Sequence, residues 1–312
     1  MRILITGGTG CLGTNLTEHF CKTGDAEICL IDNFATSSNR ELEKLEGVSL
    51  CEGSIADKAF VDQVFSDFRP THVLHSAAAY KEPDDWRQDI ATNIDGSVII
   101  AKASEEHQVK QIINFQTALC YGEPKTLPIP RYHSTAPTTS YGISKTAGEA
   151  YLMLSDVPVV SLRLANVCGP YLSIGPIPTF YKRLKAGKPC FCSNAVRDFL
   201  DIDDFIRLIE QLLGAGPQVG VFNVSTGEGK SIKDIFDAVA TFLGLEIEAP
   251  PIVPVGEDDI ETVVIDPSDT EAILGWRATT PFETLIEKQL KWYDAHGITS
   301  IYSHLSKPGS KE

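Results

Sequence analysis

Tyr141 and Lys145 are the clearest pair of proton-transfer groups in this sequence, because a phenol and an ammonium stand four residues apart. On a helix, side chains at this spacing share a face. A free tyrosine has a pKa of about 10 and is a poor base at neutral pH. A neighbouring positive charge stabilises the phenolate and lowers that pKa. The spacing therefore predicts a general base and acid that works near pH 7.

The beginning of the chain predicts a turn that binds a dinucleotide. An apolar run at residues 2–6 leads into glycines at positions 7, 8, 10 and 13, and a helical pattern follows over 14–22. A helix that starts at such a turn directs free N–H groups and a positive dipole end at a pyrophosphate. Glycine is needed because a Cβ would block the tight turn and hold the phosphates away.

Asp32 identifies the expected dinucleotide. It ends a second apolar run, about twenty residues beyond the last glycine, where a carboxylate binds the ribose hydroxyls of the adenosine. The same charge repels a 2′-phosphate, so we predict NAD rather than NADP as the cofactor. A bound nicotinamide would add a second positive charge beside Tyr141, and Lys145 would hydrogen-bond its ribose.

The elements that position these groups alternate between strand and helix. Such a rhythm predicts an α/β fold with a doubly wound, Rossmann-type parallel sheet, in which ligands bind at the carboxyl ends of the strands. The predicted strands are residues 2–6, 28–31, 48–51, 71–75, 111–115 and 158–164. The predicted helices are residues 14–22, 58–68, 85–106 and 140–154.

The second half of the chain has a less regular pattern. Prolines cluster at positions 170–178 and 250–254, with helices expected over 179–186, 204–213, 231–243 and 281–293 and a strand over 222–224. We predict a dinucleotide-binding domain at residues 1–166, to which some later segments return. Residues 167–312 are expected to form mainly a smaller α/β lobe that closes over the nucleotide end.

Composition excludes several classes of function. The 312 residues are 43% hydrophobic and 22% charged, with a formal net charge of -15 and no basic stripe, which argues against nucleic acid as a partner. No apolar stretch is long enough to span a bilayer, and the chain enters a strand directly, so we expect a cytoplasmic protein. The eight cysteines form no metal-binding pattern, and no metal is expected.

Taken together, these motifs resemble those of the extended short-chain dehydrogenase/reductases that act as nucleotide-sugar epimerases and dehydratases. The chain is most similar to the epimerase-like enzymes of bacterial polysaccharide and glycoconjugate pathways, of the UDP-glucose 4-epimerase type. The stretches that carry the resemblance are residues 7–13, 32–34, 75–78, Asn93, 117–122, 141–145, 162–166, 197–199 and 274–276.

The resemblance implies which residues hold NAD. The pyrophosphate would face Gly7, Gly10, Cys11, Leu12 and Gly13. The adenosine would be bound by Asp32, Asn33, Ser54 and Ile55, with Ser54 in place of the usual aspartate. Ala77 and Ala79 would line the cofactor, Asn93 would order the strand ends of the active site, and Tyr141 and Lys145 would contact the nicotinamide side.

It also implies the catalytic and substrate-binding residues. Thr117 occupies the position of the catalytic serine or threonine, where its hydroxyl would bridge the sugar hydroxyl and Tyr141. Asn166 and Arg197 would bind the diphosphate of a nucleotide sugar, since a guanidinium grips phosphate through two donors. The helices that carry Asn93 and Tyr141 resemble those of a dimer interface, so a homodimer is expected.

The residues after Thr117 bear on the type of reaction. Family members that dehydrate or decarboxylate usually carry an acid pair there, whereas this chain has Ala118 and Leu119, which transfer no proton. We therefore predict C4 epimerisation of a UDP-sugar through a transient 4-keto sugar. The alternatives are a dehydratase, a C3/C5 epimerase and a nucleotide-binding regulator without catalysis, although a threonine at 117 is more usual among dehydratases.

Two further features leave alternatives open. One branch of the family uses a cysteine for C3/C5 epimerisation at the place of Leu119, one position before Cys120. A shift of one residue along a strand reverses the face, so Cys120 is expected to pack inside. The acidic segment at 257–261 is either a solvated loop or part of a pocket for an unusual sugar or nucleotide.

Overall fold

The computed structural model describes residues 1–24, 26–37, 39–256, 259–298 and 301. Its strands are β1 (Arg2–Thr6), β2 (Glu27–Asp32), β3 (Val48–Glu52), β4 (His72–His75), β5 (Gln111–Thr117), β6 (Val159–Leu164), β7 (Asn166–Cys168), β8 (Cys192–Ser193), β9 (Val196–Arg197), β10 (Phe199–Asp201), β11 (Gly220–Val224), β12 (Lys230–Ser231), β13 (Ile252–Val253) and β14 (Thr262–Val263). Its helices are α1 (Cys11–Thr23), α2 (Lys58–Phe68), α3 (Trp86–Asp89), α4 (Gly96–Glu106), α5 (Ser140–Leu152), α6 (Pro176–Lys185), α7 (Ile202–Gly214), α8 (Ile232–Phe242), α9 (Ser268–Leu274) and α10 (Phe282–His296).

The main sheet confirms the predicted α/β fold. Within the described residues it has seven parallel strands in the order β11-β6-β5-β4-β1-β2-β3. The order reverses next to β1, so the carboxyl ends of β1 and β4 flank a crevice in which ligands bind in such sheets. The last strand to join, β11, comes from the second half of the chain and pairs with β6.

Apolar cores cover both faces of the sheet. Ile3 and Ile5 of β1 pack with Phe205 of α7 on one face, whereas Leu4 packs with Phe65 of α2 on the other. Successive side chains of a strand point to opposite faces, so an unbroken apolar run is what a strand buried on both sides requires. This double burial holds the strand ends, and the loops that leave them, in fixed positions.

Helices from the second half of the chain form a separate apolar cluster. Phe180 of α6, Phe236 of α8 and Leu290 of α10 pack together there. Short strands complete this region, with β10 parallel to β7 and β9 between β12 and β14. The division of the chain into two domains at residue 166 stays a prediction.

The observed elements differ from the expected ones at several places. The helix expected over 85–106 consists of α3 and α4 joined by a π-helix at Ile90–Asp95, and a shift in helical periodicity of this kind leaves little trace in an apolar pattern. Helix α9 and the strands of two or three residues were not expected from the sequence. Along the described residues, no helix combines the length and apolar character needed to cross a membrane.

Candidate active site

A cavity of about 1500 Å³ lies at the carboxyl ends of the parallel strands. Gly7 follows β1, Asp32 ends β2, Thr117 ends β5, and all three line it. Residues from α6, including Phe180, form the facing wall. Most of the predicted site residues therefore border one continuous space between the sheet and the separate apolar cluster that contains Phe180.

The glycine turn forms a close-fitting cradle at one end. Gly7 has a φ of +64°, and a Cβ there would lie 2.9 Å from the backbone of Ala77. Gly10 is the N-cap residue of α1 and has no side chain to accept a hydrogen bond. The N–H groups of the first turn are therefore left to an external acceptor. Cys11 and Leu12, in that turn, also line the cavity. These features fit the pyrophosphate of a dinucleotide.

Gly13 does not line the cavity, in contrast to its expected contact with the pyrophosphate. A Cβ on Gly13 would lie 2.6 Å from the carbonyl oxygen of Gly8. The glycine therefore allows α1 to pack against the turn, which is the usual role of the third glycine in such a motif.

The adenosine end is built around Asp32. Its carboxylate accepts hydrogen bonds from the N–H groups of Thr9, at 2.9 Å, and Phe34, at 2.8 Å. Each oxygen thus retains acceptor capacity toward the cavity, as ribose hydroxyls would require. The other residues expected at this end also line the cavity: Asn33, Ser54 and Ile55.

Asn93 supports the cavity from behind. Its side chain is 1% exposed and pairs with both backbone groups of Ala79, accepting at 2.8 Å and donating at 3.0 Å. It also donates to the hydroxyl of Ser144 on α5, at 2.9 Å. Ala77 and Ala79 line the cavity, whereas Asn93 does not. Any effect of Asn93 on a cofactor therefore passes through the loop after β4 or through α5.

Thr117, Tyr141 and Lys145 meet at the other end. Thr139 caps α5 by accepting from the N–H of Gly142, at 3.1 Å, which fixes the turn that carries Tyr141. Gln116 of β5 donates to the backbone oxygen of Lys145, at 2.9 Å, and so ties strand to helix. All three predicted catalytic residues border the cavity.

The electrostatics of the pair differ from the expectation for Tyr141. Burial raises the pKa of Tyr141, with further increases from Tyr80 and Asp89, while a hydrogen bond with Thr117 lowers it. In the protein chain by itself the direction of the pKa shift is therefore opposite to the predicted one, because desolvation disfavours the charged phenolate. A lowered pKa requires a further positive charge in the cavity, such as a nicotinamide.

The pKa of Lys145 is shifted in the direction expected for a buried cation. Burial lowers the pKa of Lys145 to about 8, against a smaller upward effect of Glu149. Glu149 is itself paired with Arg163 at 2.6 Å. Burial also lowers the pKa of His75 to about 3, so this neighbour is neutral and adds no charge near neutral pH.

Arg197 lines the cavity but already has a carboxylate partner. Its guanidinium lies 2.6 Å from Asp259 and also donates to the backbone oxygen of Glu261, at 3.1 Å. Asn166, the other predicted diphosphate ligand, lines the cavity and donates to the backbone of Asp198. Of the acidic segment, Glu257 and Asp258 lie outside the described residues, while Asp259 is ion-paired rather than a solvated charge.

The three residues after Thr117 divide between the cavity and an apolar cluster. Ala118 and Leu119 line the cavity. Cys120 is buried among apolar residues that include Ile129 and Ile265. Burial raises the pKa of Cys120 to about 12, so its thiol stays protonated near neutral pH and does not act as a base. Across the described ranges, no group of three His, Cys, Asp or Glu side chains could hold a metal ion.

The cavity also contains side chains that the sequence did not single out. Tyr80 follows Ala79 in the loop after β4, with its ring centroid 6.3 Å from that of Tyr141. Asp89 ends α3 and is 3% exposed. Tyr80 could have been expected at the cavity from the sequence, because it lies in a loop that follows the carboxyl end of a strand. Asp89 could not be found in this way, because it lies within a predicted helix.

Comparisons with known proteins agree with this geometry. The model of the NAD dependent epimerase/dehydratase family matches residues 3–225. The enzyme WbmG of Bordetella bronchiseptica, solved in complex with NAD, is 59% identical, with a TM-score of 0.91 and 98% of each chain covered. A complex of WbmG with NAD and UDP has the same identity and TM-score and covers 97% of each chain. A UDP-glucose 4-epimerase of Lacticaseibacillus casei is 28% identical, over 95% of this chain and 98% of its own length.

Proposed function

This chain belongs to the NAD-dependent epimerase/dehydratase family, and on that premise we propose that it is an NAD-dependent epimerase that inverts C4 of a UDP-sugar. The observation that carries the proposal is one cavity bordered at one end by the glycine turn and Asp32 and at the other by Thr117, Tyr141 and Lys145. Similarity to UDP-glucose and UDP-arabinose 4-epimerases supports the reaction, and the UDP bound by WbmG supports the nucleotide.

NAD fits the cavity from the glycine turn to Lys145. The first turn of α1 would bind its pyrophosphate, Asp32 its adenosine ribose, and Lys145 its nicotinamide ribose. When bound, NAD supplies a reversible hydride acceptor for C4 of the sugar. The roles of the individual residues are part of the proposal.

Tyr141 moves the proton. Tyr141 would take the proton of the C4 hydroxyl while C4 is oxidised. After the 4-keto sugar has rotated in the cavity, Tyr141 would return a proton to the C4 oxygen during reduction. Thr117 would hold the sugar hydroxyl in line with Tyr141 through the hydrogen bond that the two side chains already share. With a pKa of about 8, Lys145 remains cationic at neutral pH and favours the phenolate.

The surroundings of Thr117 favour epimerisation over the alternatives. Dehydration would require an acid to protonate a leaving hydroxyl, and Ala118 and Leu119 at that place have none. C3/C5 epimerisation would require a second base, which Cys120 does not provide from inside its apolar cluster. A regulator without catalysis would have no use for Thr117, Tyr141 and Lys145 in one corner.

Arg197 and Asn166 are the proposed ligands of the diphosphate. Arg197 faces the cavity while Asp259 and the backbone of Glu261 hold its guanidinium in place. Burial lowers the pKa of Arg197, with Asp259 acting in the opposite direction, and the guanidinium stays charged. A fixed, charged fork of this kind suits a phosphate group.

We further propose a homodimer built on α3 to α5. Trp86, Ile90, Ile143 and Tyr151 on these helices are exposed apolar residues, and a second copy would cover them. Light scattering tests this proposal, and Ile143→Glu should favour monomers. A wild-type monomer in dilute solution would contradict it. The cytoplasmic location expected from the sequence stays a proposal that cell fractionation tests.

The function is tested by incubating the purified, NAD-loaded protein with UDP-glucose, UDP-N-acetylglucosamine and UDP-glucuronate. Proton NMR should detect the C4 epimer of at least one of them without accumulation of NADH. The matched control is Tyr141→Phe, which keeps the ring and removes the proton-transfer group. Failure to invert C4 in a wider panel of UDP-sugars would count against the proposal.

A further inference from the structure

Asp89 is a buried carboxylate in the reaction cavity that the mechanism above does not use. It ends α3, immediately before the π-helix at Ile90–Asp95, and is 3% exposed. It lines the same cavity as Tyr141. A π-helical turn is often retained at a functional site because it changes which side chains face inward.

Ser140 fixes this carboxylate next to the phenol. The Ser140 hydroxyl donates to Oδ2 of Asp89 over 2.6 Å, and Ser140 directly precedes Tyr141 at the start of α5. Burial raises the pKa of Asp89, and the hydrogen bond from Ser140 acts in the opposite direction by stabilising the carboxylate. The negative charge of Asp89 is therefore tethered to the turn that presents the phenol.

Other titratable groups surround this corner of the cavity. Tyr80 lies in the loop after β4, Lys145 and Glu149 on α5, His75 on β4 acts on Lys145, and Asp85 acts on Asp89. Charged residues that follow Tyr80 also line the cavity: Lys81, Glu82 and Asp84. His75 is neutral near pH 7, and Glu149 is paired with Arg163. Asp89 is thus a negative charge that acts on Tyr141, and the ammonium of Lys145 belongs to the same helix, four residues after the phenol.

We propose that Asp89 is a positioning residue for proton transfer, whose charge, held by Ser140, opposes that of Lys145 at the Tyr141 hydroxyl. The carboxylate then disfavours the phenolate, against the stabilisation that Lys145 provides. The inference rests on the proposed role of Tyr141 as the base.

The test compares Asp89→Asn with two matched variants in NAD-loaded protein. Asp89→Asn keeps the shape and the acceptor for Ser140 but removes the charge. Ser140→Ala keeps the charge and removes the tether, and Asp89→Glu keeps the charge on a longer side chain. Tyr141 ionisation is followed by ultraviolet absorbance of tyrosinate, with the Tyr141→Phe protein subtracted, and this readout needs no substrate.

In Asp89→Asn the midpoint of Tyr141 ionisation should fall by about half a pH unit, and the acid limb of the rate profile should move with it. Ser140→Ala should move the midpoint less than half as far, and Asp89→Glu should leave it in place. An unchanged midpoint in Asp89→Asn, or an equal shift in all three variants, would overturn the proposal. If Asp89→Asn does not fold, a lowered midpoint in Asp89→Glu would overturn it. A protein that inverts no UDP-sugar yet shows these midpoints would refute the function and not this inference.

Discussion

Replacing Lys145 with methionine separates what the ammonium costs the folded protein from what it contributes to turnover. Lys145 is 4% exposed, and burial lowers its pKa from 10.5 to about 8. One pKa unit corresponds to about 1.36 kcal/mol, so the charged side chain costs the folded state about 3 kcal/mol at neutral pH. Methionine has a similar length and no charge. Lys145→Met should therefore be more stable than the wild type at pH 7, by up to that amount, and nearly inactive.

The stability gain of Lys145→Met should depend on pH. The folded pKa lies below the unfolded one, so between pH 8 and 10.5 the unfolded chain binds more protons and wild-type stability rises with pH. The advantage of Lys145→Met should be full below pH 8 and shrink through this window. Turnover of the wild type should fall above about pH 8 as the ammonium is lost.

The assay is urea unfolding of both proteins without added cofactor, at pH 7 and pH 9.5, with the free energy of unfolding taken from the linear dependence on denaturant. The matched control is Lys182→Met, because Lys182 is an exposed lysine on α6. The control should show no gain that depends on pH. A variant no more stable than the wild type at pH 7, or a gain that persists unchanged to pH 9.5, would show that the buried charge of Lys145 does not destabilise the folded protein.

Three further variants test the supports of the cavity. Gly13→Ala should lose about 1–3 kcal/mol of stability in urea unfolding, because its Cβ would meet the Gly8 carbonyl oxygen at 2.6 Å, whereas Gly214→Ala, with no described atom within 4 Å, should be near neutral. Asn93→Ala should lose about 2–3 kcal/mol by the same assay, since it leaves backbone groups of the loop after β4 unpaired. Thr117→Val should lower kcat about a hundredfold in the epimerase assay, while Thr117→Ser retains most of it. Equal rates for the two threonine variants would contradict a role for the hydroxyl.

Local patterns were sufficient to predict the sheet and most of the residues that border the cavity. The helix expected over 58–68 has those bounds in the structure, because Asp57 caps it and its apolar positions follow the helical period. The glycine turn and the Tyr141–Lys145 spacing are also local. In a doubly wound sheet, local order along the chain fixes where strand ends meet, so predicted residues from distant segments lie in one cavity.

Features that depend on distant partners could not be predicted. The two-residue strands of the second half exist only through long-range pairing, as between β9 and β14. The ion pair of Arg197 with Asp259 joins residues 62 positions apart. The direction of the pKa of Tyr141 depends on how deeply the phenol is buried, which the spacing to Lys145 does not reveal. The packing role of Gly13 likewise follows from a contact that only the folded turn creates.

The proposed mechanism requires that C4 of a UDP-sugar is oxidised and reduced again within one cycle on this protein. The most direct measurement uses a UDP-sugar substrate with deuterium at C4, followed to its product by NMR and mass spectrometry. Deuterium should stay at C4 of the inverted sugar, and Tyr141→Phe should abolish formation of that product. Replacement of that deuterium by solvent hydrogen, or unchanged turnover in Tyr141→Phe, would contradict the proposed mechanism.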